Sequence, residues 1–368
     1  MKRVVVNRSD LKNNVRHLIS EMKEDNPNRV VIGVVKDNGY GLGIVNFTRI
    51  IHECGINDVA VATMEEVEIL VKEDIGPNIL MLSPTNNNTE IAYLISNGVE
   101  ITVDTLYQFN LVKETAKALN KSAKIHLKID CGFGRYGFMY DDFDSIEKCF
   151  KENIFPIEII GIYAHGITPV SDDYANLQFD RFMKLIEHIE GKGYEVLLKH
   201  VCSSSAALKY KNMRLDAVRL GSCLTGRAIF ERKYLKKIGV FETEIAEIRN
   251  IKKGESISYG REYTAKKDMR IGIIQVGYAD GFTVDNKKNL DTFSKKFKNV
   301  LISVRDLFKD KGLHVLINGT KYPIIGRVGM YHAIIDIDKN PNINLGDIVR
   351  FDDFEPLKVN PIIRREYV

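Results

Sequence analysis

Lys36 is the first residue that could do chemistry, because it interrupts an apolar run and is followed at once by glycines, in Val-Val-Ile-Gly-Val-Val-Lys-Asp-Asn-Gly-Tyr-Gly-Leu-Gly, residues 30–43. Val30, Val31, Ile32, Val34 and Val35 read as a short β-branched strand buried on both faces, as in a parallel sheet covered by helices. A lysine carried into a pocket by such a strand loses hydration, which favours its neutral amine and suits it to Schiff-base chemistry. Gly39, Gly41 and Gly43 let the backbone approach a ligand, and Tyr40 adds a hydroxyl between them. Taken alone the motif reads more simply as a solvated strand end followed by a turn.

Other polar residues fall at the ends of later strand-like runs. In order they are Thr63, Ser83, Asp104, the Lys128 to Asp130 pair, His165, Ser203 to Ser205, and Arg219. Lys36, Lys128 and Arg219 with the serine cluster would make one mouth suited to an anion such as a phosphate or carboxylate.

The elements that must position these groups alternate regularly. Strands are expected near Val31, Val59, Ile79, Ile101, Ile125, Ile159, Leu197 and Val218, with helices between them, for example over Glu65 to Val71, Leu106 to Leu119 and Leu177 to Ile189. Ser9 or Asp10 is expected to cap a helix bearing Leu11, Val15, Leu18 and Met22. Eight strands alternating with helices predict an α/β fold, a (β/α)8 barrel over residues 1–230, whose active site is built at the carboxyl ends of its strands. From about Phe241 the chain turns to short strands with turn signals, which predicts a mostly-β domain over 231–368, with residues 1–8 able to join it. Residues 283–312 carry eight Lys or Arg against four Asp, with apolar residues at helical spacing, and predict a basic amphipathic helical insertion.

Composition narrows the class. Of 368 residues 44% are hydrophobic and 28% charged, ordinary for a soluble globular protein, and no apolar segment reaches membrane-spanning length. The first residues do not read as a signal peptide, and five scattered cysteines fit reduced thiols better than disulfides or a zinc site, so the expected location is cytoplasmic and no metal is expected. A net charge of +4 is too mild to point to nucleic acid.

The segment VVKDNGYGLG resembles the cofactor-lysine motif of the alanine racemase family, the fold-type III pyridoxal-phosphate amino-acid racemases. So do HLKIDCGFGRYGF (126–138), GIYAHG (161–166), HVCSSSAAL (200–208), VRLGSCLTG (218–226), SISYGREYTA (256–265), VGYADGF (276–282) and IIGRVGMYH (324–332), in the family's order. The resemblance implies an N-terminal barrel, a C-terminal β domain, pyridoxal 5'-phosphate, and a homodimer that shares its active site between subunits. Lys36 would hold the cofactor as a Schiff base and act as one acid/base group, and Tyr259, from the second subunit, as the other. Tyr40, Ser205, the backbone of Gly221 and Ser222, and Tyr367 would bind the phosphate. His165 would pack on the cofactor and Arg219 would face its pyridine nitrogen. Arg135 would orient the substrate carboxylate, helped by the backbone of Met330, with Tyr278 at the entry and Lys128 open to carbamylation.

Three positions depart from the family pattern. Leu42 stands where histidine is common, Ser204 where asparagine is, and Tyr331 where an aspartate usually follows the methionine. The implied activity is interconversion of L- and D-alanine, and the alternative on the same scaffold is racemisation of serine, lysine, ornithine or a broad set. A decarboxylase, disfavoured by Arg219, or a non-catalytic cofactor carrier are the remaining readings.

Overall fold

The computed structural model describes residues 1–167, 171–230, 232–282, 313–351 and 354–368. Residues 283–312, where the basic helix is expected, lie outside these. The chain divides into two compact units, Asn7–Ile238 and Met1–Val6 with Gly239–Val368. The division falls past the 230/231 expected from sequence because the intervening segment is tied to the first unit. Ile238 N–H donates to the Thr225 carbonyl at 2.9 Å, and the buried Asn14 amide donates to Lys236 O at 2.7 Å.

The first unit is an α/β barrel. Among its described residues, eight parallel strands run in the order Ala217–Leu220, Val30–Val34, Asp58–Val61, Asn78–Met81, Glu100–Val103, Ala123–Asp130, Ile157–Ala164 and Lys199–His200. The ends of that order meet where Asp216 N–H donates to Lys199 O at 3.1 Å and Arg219 N–H to Cys202 O at 3.0 Å. The strand expected near Leu197 is thus only two residues long and lies slightly further on. Leu197 itself is exposed, and the strand is seated by Asp216, whose carboxylate accepts from Lys199 N–H at 2.9 Å.

Helices cover the outer faces, and local chemistry sets their ends. The first, Arg8–Lys23, is capped by Asn7, not by Ser9 or Asp10, since the Asn7 side chain accepts from Asp10 N–H at 2.9 Å. Thr63 and Glu66 form a reciprocal capping box on Met64–Glu73. The lumen has two halves of different chemistry. Ile32, Val34, Ala60, Leu80 and Ala217 fill one side with apolar volume. Thr102, His126, Lys128, Tyr163 and His200, buried on the other strands, make the second side polar together with Arg219, which shares its strand with Ala217.

The second unit is built on the long strand Val240–Ile251. A bulge between Ile245 and Glu247 lets its first half pair with Arg3–Val6 and Ile348–Phe351 and its second half with Met269–Ile274. The strand therefore closes a barrel-like sheet through Met269–Ile274, Ala333–Asp336, Thr320–Ile325 and His314–Ile317. Arg364–Tyr367 extends the sheet beyond Arg3–Val6. Among the described residues no helix is long and apolar enough to cross a membrane.

Candidate active site

Lys36 begins an unusual turn. Asp37, Asn38, Gly39, Tyr40 and Gly41 all have positive φ, between 53° and 76°, so the chain makes one turn of left-handed helix directly after the lysine. Non-glycine residues held there cost about 1–3 kcal/mol each, so the surroundings must fix the turn. They do: Gly39 N–H bonds Val35 O, Gly41 N–H bonds Asp37 O, Gly43 N–H bonds Asn38 O, and the Asn38 side chain accepts from Ile44 N–H at 3.0 Å. The glycines are therefore part of a helical turn and not merely openings toward a ligand. Gly39 has no room for a side chain, because a Cβ would lie 3.1 Å from that of Phe47.

The turn carries Tyr40 against Gly221 and Ser222. Burial pushes the Tyr40 phenol up to about 12, although the Ser222 amide favours its ionised form. Gly221 N–H is already donated to the buried Ser204 hydroxyl at 2.9 Å. Ser205, one residue on in the short helix Ser204–Lys209, is half-buried. The sequence singled out Ser205 for binding, whereas the neighbour that ties the two loops together is Ser204.

Arg219 is fully buried on Ala217–Leu220. Its guanidinium donates to Nδ1 of His200 at 2.7 Å, to the His200 carbonyl at 3.0 Å and to the Ala164 carbonyl at 2.8 Å, and it stands 5.0 Å from the Tyr163 ring centre. Among the described residues no carboxylate touches it, so at contact distance its charge is met by the His200 ring and by carbonyl dipoles. Tyr163 stacks on His200 at 4.9 Å and 14° and bonds Thr102 through its hydroxyl at 2.9 Å.

Lys128 sits 5.7 Å from the Tyr163 ring centre and 5.2 Å from the Tyr136 ring centre. Burial, then Arg135 and Arg219, bring its amine down to about 8. His165 is half-buried, edge-on to Phe133 at 5.3 Å. Burial lowers it to about 3, reinforced by Arg219, Arg135, Lys128 and Lys36, so the ring is neutral at physiological pH. Of these, Arg219 is within direct reach, its guanidinium 3.5 Å from Nδ1 of the ring.

Arg135 lies on an exposed loop, with its guanidinium 4.7 Å from the Phe133 ring centre. The loop is organised by Asp130, which sequence reasoning left without a separate role. Its carboxylate accepts from the amides of Gly132, Phe133, Gly134 and Arg135 at 2.8–3.2 Å. The pattern Asp-Cys-Gly-Phe-Gly at a strand end is a signal for such a nest of amides.

In the second unit Tyr259, Tyr278 and Met330 come together on an exposed face. Tyr278 N–H donates to Gly329 O and Ala279 N–H to Met330 O, both at 3.1 Å, and a Cβ at Gly329 would lie 3.8 Å from the Tyr259 ring. Tyr259 is 71% exposed. It lies in the turn of the hairpin formed by Ser256–Ile257 and Tyr263–Thr264, where Ser258, Gly260 and Arg261 have positive φ. Tyr367 is on the Arg364–Tyr367 strand, paired with Val6.

The chain is similar to known proteins along nearly its whole length. The family model for the alanine racemase N-terminal domain matches residues 6–228 and that for the alanine racemase C-terminal domain matches 239–356. Alanine racemase 2 of Caldanaerobacter subterraneus is 32% identical, covering 97% of this chain and 87% of that one. The alanine racemase of Methanococcus maripaludis is 30% identical over 93% of this chain and 86% of its own length. Among solved structures, alanine racemase of Clostridium difficile superposes with a TM-score of 0.86 at 25% identity, covering 100% of this chain and 95% of that one. The alanine racemase of Bacillus anthracis with bound L-Ala-P gives 0.78 at 27% identity, covering 95% and 85%.

Proposed function

The chain belongs to the alanine racemase family, and we propose that it interconverts L- and D-alanine with pyridoxal 5'-phosphate as cofactor, working as a homodimer. The observation that carries the reading is Arg219, a buried guanidinium at a strand end with no carboxylate in contact among the described residues and the neutral His165 ring 3.5 Å away.

The donor set fits the cofactor. Tyr40, Ser205 and Ser222 form a polar rim for its phosphate, with Gly221 keeping the space clear. The absence of a side chain at Gly221 makes room for the Tyr40 hydroxyl, and its amide is donated to Ser204. Tyr367 is the further candidate for the phosphate. His165, neutral, offers a ring face to pack on the cofactor without adding charge. Arg219 would face the pyridine nitrogen with a permanently protonated guanidinium, which would keep that nitrogen unprotonated. When bound, the cofactor supplies a conjugated ring that takes up the negative charge left when an α-proton departs.

The protein's own groups do the remainder. Lys36 holds the cofactor and moves the proton on one face of the substrate's α-carbon. Tyr259, an exposed phenol on the second unit, serves the opposite face of a partner's site. Arg135 and the Met330 backbone orient the carboxylate, and Tyr278 lines the entry. Lys128, neutral in a large fraction near its value of about 8, can add carbon dioxide with loss of a proton, turning a like-charged neighbour of Arg135 into a partner.

A chiral assay over the common L- and D-amino acids tests the reading. Racemisation of alanine ahead of serine, lysine and ornithine supports it. Turnover of a larger amino acid in preference would move the substrate, with Tyr331 beside Met330 as the first position to examine, and decarboxylation would remove the reading altogether.

A further inference from the structure

Arg219 is the near end of a buried chain that crosses the polar half of the lumen. Nδ1 of His200 accepts from the guanidinium at 2.7 Å, Nε2 of His200 lies 3.2 Å from Nδ1 of His126, and Nε2 of His126 lies 3.0 Å from the Glu100 carboxylate. Both imidazoles are buried, whereas the Glu100 side chain is 14% exposed at the first residue of Glu100–Val103, the amino end of the barrel.

The donor inventory assigns every proton in this chain. A guanidinium only donates, so Nδ1 of His200 is an acceptor and that ring carries its proton on Nε2. This proton points at His126, whose Nδ1 must therefore accept and whose own proton sits on Nε2, facing a carboxylate that only accepts. All three bonds run one way, from Arg219 to Glu100.

The surrounding backbone makes room for the arrangement. Gly161 lies beside His126 with an ordinary backbone conformation, yet a Cβ there would lie 2.4 Å from Nδ1 of His126. Glycine is needed at this position for space alone. The strand pairing also shifts register at His126, where Ile125 pairs with Ile159 but His126 with Gly161.

We propose that Glu100, His126 and His200 form a one-way relay that anchors the Arg219 guanidinium from the amino end of the barrel, with Glu100 supplying its countercharge. Glu100 and His126 are positioning residues, acting on the site only through Arg219. The proposal deepens the reading of Arg219 given above and rests on it for its kinetic consequence, but not for its proton assignments.

The test uses the full-length protein with ring-¹⁵N histidine. His126 and His200 are expected to show unprotonated Nδ1 and protonated Nε2. Glu100→Gln keeps an acceptor but removes the charge, so resonances of both rings move, and kcat falls about tenfold with KM for alanine within about twofold. Gly161→Ala, which displaces His126, breaks the His126 to His200 coupling while leaving Glu100 in place. A protonated Nδ1 on His200 overturns the relay, as does a Glu100→Gln variant in which only His126 shifts and kcat is unchanged. If the unaltered protein racemises no amino acid, the functional reading fails, while the nitrogen pattern still decides the relay.

Discussion

The hydroxyl of Tyr40 occupies the space a side chain at residue 221 would need, lying 2.1 Å from the position of a Cβ on Gly221. Gly221 has a negative φ, −130°, so no left-handed backbone is involved, and the contact with Tyr40 is by itself enough to exclude a side chain. Because the Tyr40 ring atoms are also within 2.9 Å, Gly221→Ala must push the whole ring outward and with it the left-handed turn behind Lys36. Overpacking of this kind costs about 1–3 kcal/mol. The expected outcome is a cofactor Kd raised at least about tenfold, the equivalent of ~1.4 kcal/mol, by absorbance titration with pyridoxal phosphate. An unchanged Kd would remove Tyr40 from the phosphate site.

Asp130 holds the loop that carries Arg135. Burial raises its carboxyl, but the amides of Gly132, Phe133, Gly134 and Arg135 outweigh that and leave it below the usual range. A depressed acid stabilises the folded state above its unfolded value and loses that contribution as pH falls through the folded value. Asp130→Ala should therefore cost about 1–3 kcal/mol at neutral pH and progressively less in acid, since charged hydrogen bonds are lost. In kinetics the effect should concentrate in KM for the amino acid, because Arg135 loses its position while Lys36 keeps its own. Urea unfolding at several pH values checks the first expectation and initial rates the second.

Much of this architecture is legible in sequence because it is local. The β-branched run before Lys36, the Leu106–Leu119 helix, recovered to the residue, and the strand-end polar groups are each set within a few residues. What escapes is set by distant partners. One exception is local: the five positive-φ residues after Lys36 are closed by their near neighbours Val35 and Ile44, yet a glycine-rich run does not announce the hand of its turn. Ser204 and Ser205 are interchangeable in sequence, and only the Gly221 amide separates their tasks. The pairing of His126 with His200 spans 74 residues, and nothing near either histidine announces it.

Lys128 is expected to oppose folding in its charged form. Its value is lowered from 10.5 to about 8, first by burial and then by Arg135 and Arg219, so charging it in the folded state becomes unfavourable as pH falls through this interval. Below about pH 8 the unfavourable term is fully present, and above the unfolded value it disappears. Lys128→Met should accordingly raise Tm at pH 7 and lose its advantage toward pH 10. Bicarbonate should raise Tm of the unaltered protein alone, with a ¹³C carbamate signal that Lys128→Met lacks. A carbamate signal that survives the substitution would place the modification elsewhere.

Tyr259 offers the sharpest separation of chemistry from stability. With 71% of the residue exposed, Tyr259→Phe should change folding stability by no more than about 0.5 kcal/mol. Losing one of two acid/base groups should lower kcat by about 10²–10⁴-fold. Alpha-proton exchange in deuterated water should persist from the enantiomer served by Lys36 and fall for the other. Equal loss from both enantiomers would argue against one base on each face.

Whether Lys36 and Tyr259 of one site come from one chain or two is answered by mixing. Lys36→Ala and Tyr259→Phe should each be nearly inactive alone. If the site is shared across a symmetric dimer, unfolding and refolding them together at equal concentration makes half the dimers mixed, and each mixed dimer has one intact Lys36 and Tyr259 pair and one site lacking both. Activity should then recover to about a quarter of the unaltered value, and it should follow the fraction of mixed dimer as the ratio is varied. A site built within one chain gives no recovery at any ratio, because every chain still lacks one of its two groups. Recovery well above a quarter would mean that mixed dimers form preferentially, which native mass spectrometry of the two variants, distinguished by mass, would register directly.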